Sequence, residues 1–243
     1  MLMLGTRRAL LGRRRKGLLS QAAIDALVSW WALDETSGTR YDSHDAHNAS
    51  AVGSPGYTTG VRGNALSGTT STNYLNAGDI LNFGDQDFCI AVWLKFPATF
   101  STFHTALCRS SGLTSNNRAW GFFRPATDTL QFLVTNASNV TGQPSIAGLP
   151  ADTWYLVFGA YDAAADLVKI AINNEAWVTG SLAGGPKTTA YNMYFGYTGT
   201  SEYPWNGQID ETAAWAGYIP TDNERMALYN NGNGVTYAQA VGA

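Results

Sequence analysis

Two adjacent carboxylates, Asp210 and Glu211, stand in the strand-like run Gln208-Ile209-Asp210-Glu211-Thr212-Ala213-Ala214, and paired carboxylates are the machinery of glycosidic-bond hydrolysis. That chemistry needs both acids on one side of a cleft, about 5–5.5 Å apart for retention or about 6.5–9.5 Å for inversion. Neighbours in an extended strand point to opposite faces, so this pair is predicted not to act together. No Gly-x-Ser-x-Gly elbow occurs, and His44, His47 and His104 show no zinc-like spacing with a glutamate. The chain is expected to have no catalytic activity.

Aromatic residues are the second set able to do chemistry. Tryptophan and tyrosine rings are the usual platforms for the apolar faces of sugars, in a patch with a polar rim. Trp120, after Asn116-Asn117-Arg118, and Tyr197 and Tyr203, in the turn-rich segment Gly196–Pro204, are the ligand-binding candidates. Each could instead anchor a loop against the rim, because large aromatics are buried on average. Trp31, Trp93, Trp154 and Trp215 fall in apolar runs and are expected in the core.

Charge is divided unevenly along the chain, which the net value of −3 conceals. Residues 1–21 hold Arg7, Arg8, Arg13, Arg14, Arg15 and Lys16 and no acid, a net +6. The remainder carries 9 basic and 18 acidic residues, a net −9. A basic arm on an acidic body suits docking onto another surface, so these six residues are the candidate partner contacts. The arm does not read as an export signal, because Gly12 is followed by four basic residues instead of a longer apolar stretch. Nucleic acid is a weaker expectation than protein, since the basic run lacks aromatic or motif context. No run of about 18 apolar residues predicts a membrane span.

The elements that must position these groups are strands. Apolar runs such as Phe88–Phe96, Leu130–Val134, Trp154–Tyr161 and Leu167–Ile172 are broken by Gly, Asn, Asp and Ser clusters. The five residues 162–166 are a connection of hairpin length, and no crossover helix fits between the runs. The sheets are therefore expected to be antiparallel, in a sandwich or jelly roll. Ser20 marks a short N-terminal helical turn leading into a strand at Val28–Leu33. Thr221 and Glu224 have capping-box spacing for a C-terminal helix ending near Gly232. Cys89 and Cys108 read either as two buried thiols or as one bridge between neighbouring strands. The division expected is a basic arm and short helix at 1–26, then one β domain at 27–243.

Four stretches carry a resemblance to a known family. They are Val28–Gly38 running into Tyr41-Asp42-Ser43-His44-Asp45-Ala46-His47-Asn48-Ala49; the turn Gly60-Val61-Arg62-Gly63-Asn64-Ala65-Leu66; the strand Asp87–Leu94; and Trp205–Trp215 with the helix that follows. Together they resemble the laminin G-like and concanavalin A-like lectin and glucanase superfamily over about residues 27–235. The resemblance implies an all-β, antiparallel jelly-roll sandwich whose first and last strands lie close together. Laminarinase-like members carry Glu, x, Asp, x, x, Glu on one strand, whereas here Gln208 and Ala213 occupy the outer positions. It also implies that the 42–48 loop sits near the final strand, which makes Asp42, Asp45, Asn48, Asp210 and Glu211 candidate ligands for a structural calcium ion. The alternative is that Asp42 and Asp45 terminate turns as Asx residues.

These features lead to one expectation for function: a non-catalytic recognition or structural module, carried on a virion surface and tethered to capsid or tail proteins by the arm. Glycans are the expected outward ligand, and a homo-oligomer within the assembly is expected. A soluble or cell-surface lectin is the alternative, and a glycan-active enzyme with an unrecognised site is a weaker one.

Overall fold

The computed structural model describes residues 17–97, 103–125, 128–200 and 203–243. The six basic arm residues, Arg7 to Lys16, lie outside these. Among the described residues, sixteen strands form two antiparallel sheets of eight. The first runs, in spatial order, Val178–Ser181, Leu167–Ile172, Trp154–Asp162, Phe88–Lys95, Gln208–Ala216, Asn64–Ser67 and Gly56–Thr59. The second runs Thr141–Gly142, Leu130–Thr135, Arg118–Arg124, His104–Ser110, Met193–Phe195, Tyr74–Gly78 and Ser50–Val52, with Ser145–Ile146 added beside Leu130–Thr135.

The opening strand, Leu27–Trp31, pairs with the closing strand, Gln208–Ala216, from Leu27 opposite Trp215 to Trp31 opposite Thr212. The chain's first and last strands are thus hydrogen-bonded neighbours, as the resemblance implies. Asn64–Ser67 takes the other end of the same edge, opposite Ile209.

Three apolar layers follow from side-chain alternation. Phe88, Ile90, Val92 and Leu94 meet Phe122, Phe132 and Trp120 of the second sheet in the core between the sheets. The alternate residues Cys89, Ala91 and Trp93 face outward, yet they are buried too, under helices. Those helices are α1 (Gln21–Asp25), α2 (Asp222–Tyr229) and α3 (Tyr237–Val241). Burial on both faces is why Phe88–Lys95 reads as an unbroken apolar run. On the outer face of the second sheet, a smaller cluster of Cys108, Phe123 and Leu133 is joined by half-buried Phe103, Leu113 and Tyr194.

Both cysteines are free and buried. They sit on the outward faces of different sheets, with the core between them, so the bridge alternative is excluded. Ser20 caps α1 by accepting from Ala23 N–H, and Thr221 with Glu224 forms a complete capping box on α2. Helix α2 ends at Tyr229, three residues before Gly232, because Asn230 and Asn231 already take the left-handed conformation. Trp154 is half-buried, whereas Trp31, Trp93, Trp205 and Trp215 are core residues.

Candidate functional site

The acid pair departs from the sequence expectation. Asp210 lies opposite Trp93 and Ala213 opposite Ala91, so the closing strand holds one residue more than its partner across this interval. That β-bulge is centred on Glu211, whose φ is +39°. Ordinary alternation would send Glu211 into the core; the bulge keeps it on the outward face with Asp210, beside Trp30, Trp93 and Trp215. The two acids therefore share one face instead of opposite ones. They are nevertheless sealed from solvent, at 0% and 4% exposure. Burial, opposed by hydrogen bonds from Arg62, Val61 and Glu211 N–H, pushes Asp210 up to about 7. Burial, opposed by Trp30 and reinforced by Asp210, pushes Glu211 up to about 9.

Three of the four carboxylate oxygens of this pair are engaged. Asp210 Oδ2 accepts from Val61 N–H (2.7 Å) and Arg62 N–H (3.0 Å), and Oδ1 accepts from Glu211 N–H (2.8 Å). A side chain at Gly60 would collide with Asp210 and one at Gly63 with Asp34, which explains the glycines of that turn. Glu211 Oε2 accepts from the Trp30 indole N–H.

The 42–48 loop does lie next to this pair, and Trp30 joins them. Asp42 Oδ1 accepts from the backbone N–H of Trp30 (2.8 Å) and of His44 (2.9 Å) while the Trp30 indole serves Glu211. Asn48 Oδ1 accepts from Asp42 N–H at 2.9 Å, and exposed Asp45 Oδ1 accepts from Ala46 N–H at 2.8 Å. Calcium needs six to eight oxygens around one point. Here one oxygen at least of each of Asp42, Asp45, Asn48, Asp210 and Glu211 accepts from its own N–H donor, so these hydrogen bonds do not gather the set around one cation. Among the described residues, no group of three His, Cys, Asp or Glu side chains is placed to hold a metal.

Ser29, His47 and Asp42 superficially form a hydrolytic triad. Ser29 Oγ lies 2.9 Å from His47 Nδ1, and Asp42 Oδ2 lies 3.6 Å from the same nitrogen. A relay needs the serine and the acid on opposite ring nitrogens. Ser29 is also 0% exposed, so no substrate reaches it.

The aromatic candidates separate. Trp120 is 1% exposed within the core, its indole N–H donating to Leu81 O at 3.1 Å, so it offers no platform to a ligand. Tyr197 is half-buried on the outer face of the second sheet. Its ring stacks on Tyr74 at 3.9 Å with a 3° interplanar angle, and Tyr194 stands edge-on to it at 5.2 Å. Tyr203, with φ +58°, packs edge-on to Phe103, which in turn meets Phe123. The Tyr197 loop is pinned to the sheet by Ser110 Oγ–H donating to Thr198 O at 2.7 Å. Burial raises the pKa of both Tyr197 and Tyr194. Helices cover the outer face of the first sheet; this face carries half-exposed tyrosines instead. Sequence reading missed Tyr74 and Tyr194, whose one local signal is a tyrosine at an outward strand position.

This architecture is an antiparallel jelly-roll sandwich. The chain belongs to the concanavalin A-like lectin/glucanases superfamily, whose family profile (Laminin_G_3) matches residues 68–234. No curated protein sequence matches the chain. Among solved structures, the binding domain of Paraclostridial Mosquitocidal Protein 1 is similar at TM-score 0.69 and 12% identity, over 86% of this chain and 53% of that one. The binding domain of botulinum neurotoxin serotype D is similar at TM-score 0.64 and 11% identity, over 87% and 53%. Domain 4 of AbnA, an extracellular arabinanase from Geobacillus stearothermophilus solved with arabinotriose, is similar at TM-score 0.58 and 17% identity, over 82% and 96%. The chain thus spans about half the length of the two toxin binding domains and nearly all of the arabinanase domain.

Proposed function

We propose that this chain is a non-catalytic carbohydrate-recognition module that binds glycan on the outer face of its second sheet, carried on a virion by its basic arm. The observation that carries the reading is the Tyr74, Tyr194 and Tyr197 cluster on the face that, among the described residues, carries no α-helix. The sealed Asp210 and Glu211 pair supports the absence of hydrolysis. The arabinotriose complex of the arabinanase domain, and the binding role named for the toxin domains, support a ligand-binding use of this sandwich. Calcium has no part in the reading.

Glycan-array screening of the full chain against a Tyr74→Ala/Tyr197→Ala variant tests the recognition half. Binding by the full chain that the variant loses is expected; no binding by either sinks it.

The virion half rests on the +6 segment joined to a −9 body. Capsid or tail proteins with an acidic surface are the partners, and copies of the chain are arrayed on the particle. Cosedimentation with particles from the same source, over a salt series, tests it with a chain lacking residues 1–16. That truncation spares Ser20, which caps α1 and bonds Glu224. Salt-released pelleting of the full chain alone is expected, because exposed charges are screened beyond about 8 Å at physiological ionic strength. If both chains behave alike, the module is a free lectin and the arm is incidental.

A further inference from the structure

We infer a second ligand site at one end of the sandwich: a cleft that binds a single neutral sugar ring through its hydroxyl groups. The cleft has a volume of ≈ 290 Å³ and lies between the 42–48 loop and the loop after strand Tyr74–Gly78. Its polar lining is His47, Asp79, Asn82 and Gln86, and Val28 and Ala216 lie on its apolar side. A small concave site with an apolar wall and a few convergent polar groups is the usual form of a ligand pocket, and this volume lies just under the lower bound of about 300 Å³ usual for such pockets. One ring fits it better than a chain. The site is separate from the tyrosine face, since Asp79 is five residues, about 16 Å, along from Tyr74.

Both polar walls are fixed from behind by buried groups. On one side the Arg109 guanidinium, with a fully buried side chain, donates from Nε to Ile80 O (2.9 Å) and from Nη1 and Nη2 to Thr189 Oγ1 and O (2.6 Å each). Its Nη2 also pairs with Asp79 Oδ1. This anchors Asp79, whose side chain is still 49% exposed, at the cleft. On the other side, His47 Nδ1 is held by Ser29 Oγ at 2.9 Å, in front of Asp42 Oδ2 at 3.6 Å. That buried carboxylate oxygen has no hydrogen-bond partner among the described residues. A carboxylate so placed is costly to bury without a facing N–H, so it fixes the imidazole with Nδ1 inward. Nε2 is then the ring atom left for a ligand.

The remaining groups define the ligand. Asn82 Nδ2 donates to Thr189 O (3.1 Å) and Gln86 Nε2 to Phe83 O (2.7 Å), which orients both amides with their oxygens as the remaining acceptors. With Asp79 Oδ2, three acceptors are left on residues that line the cleft. Hydroxyls donate to all three, and they serve His47 Nε2 in either of its protonation states. An anionic ligand is repelled by Asp79. Walls set by buried hydrogen bonds provide the preorganisation that a specific site requires.

The test is ¹H–¹⁵N NMR of the full chain titrated with the methyl glycosides of glucose, galactose, mannose and N-acetylglucosamine. Saturable shifts at His47, Asp79, Asn82 and Gln86 with at least one sugar are expected. Gln86→Ala, on the exposed rim, should weaken that binding about fivefold to tenfold, and Asp79→Asn about tenfold or more. Tyr74→Ala should leave these shifts unchanged. If Asp79→Asn disturbs the fold through Arg109, Gln86→Ala alone decides. No saturable shift at the four residues, shifts that persist in the correctly folded variants, or shifts with ethylammonium but no sugar would overturn the assignment. Shifts here without any at Tyr194 or Tyr197 would support this site and count against the tyrosine face.

Discussion

Ser20 and Glu224 are bonded twice across 204 residues of sequence: the Ser20 hydroxyl donates to Glu224 Oε1 at 2.6 Å and its backbone N–H donates to the same oxygen at 3.1 Å. The second carboxylate oxygen accepts from Tyr218 Oη–H (2.8 Å), Thr221 N–H (2.8 Å) and Thr221 Oγ1–H (2.9 Å). One side chain thus serves the caps of both α1 and α2 and ties the N-terminal segment to the C-terminal layer. Burial alone would raise its pKa, but the bonds from Ser20, Thr221 and Tyr218 prevail and hold it at about 2.

Removing that tie should loosen the helical layer. Glu224→Ala is expected to cost about 3 kcal/mol, since hydrogen bonds to a charged group contribute about 1.5–3 kcal/mol and a cap about 1. Ser20→Ala should cost about 1 kcal/mol, and a double-mutant cycle should show coupling above about 0.5 kcal/mol. Urea denaturation measures all three; additive effects would mean that the two residues do not act together. A depressed carboxylate pKa contributes stability above its unfolded value, so the Glu224 contribution should be lost as pH falls from about 4.5 towards 2.

The bulge acids act in the opposite direction. Asp210 at about 7 and Glu211 at about 9 bind protons more tightly in the folded chain than in the unfolded one. Their contribution is complete below the unfolded values near 4 and is lost as pH rises through the folded ones. The urea midpoint should therefore fall between pH 5 and 9. Glu211→Gln keeps an acceptor for the Trp30 indole and carries no charge, so it should flatten the slope above pH 7 and stabilise the chain at pH 8. An unchanged slope in that variant would place the titration elsewhere.

How much of this was readable from sequence depended on the range of the interaction. Phe88–Lys95 was legible because burial on both faces leaves a continuous apolar run, and α2 because Thr221 and Glu224 are three residues apart. Helix α3 has the same kind of signal in Thr236 and Gln239, which form a capping box, but the helix itself is only five residues long. The bulge at Glu211 was not legible: it exists only in register against Trp93 and Ala91, over 100 residues earlier. Trp120 shows the same limit, since a tryptophan after a polar turn is compatible with either face until its strand is paired. Tyr74 and Tyr197 meet across 123 residues, and nothing local in either segment announces that contact.

Calcium provides a sharp test of the 42–48 loop. A site in the folded state filled to a hundred times its Kd would add about 2.7 kcal/mol, raising the melting temperature of a domain this size by about 5–10 °C. The placement of Asp42, Asn48 and Asp210 against backbone N–H groups predicts no such rise on adding calcium and no fall on adding chelator. Differential scanning fluorimetry decides it, and a shift of several degrees would mean that these carboxylates rearrange around an ion.

The tyrosine face separates stacking from hydrogen bonding. Tyr194 and Tyr197 are half-buried, so Tyr197→Ala removes both a ring from the stacked pair and an edge contact to Tyr194, each interaction contributing about 0.5–1.5 kcal/mol. If sugars bind by stacking here, Tyr197→Ala should weaken glycan affinity tenfold or more, while Tyr197→Phe, which keeps the ring, should stay within about threefold. If the hydroxyl is the contact, the two variants should lose affinity alike. Calorimetry against the best array ligand, beside a melting curve for each variant, distinguishes these outcomes from simple unfolding. The Tyr203→Ala variant serves as the comparison, because its ring packs on Phe103 and not on the Tyr74 stack, and its affinity should stay near that of the unaltered chain.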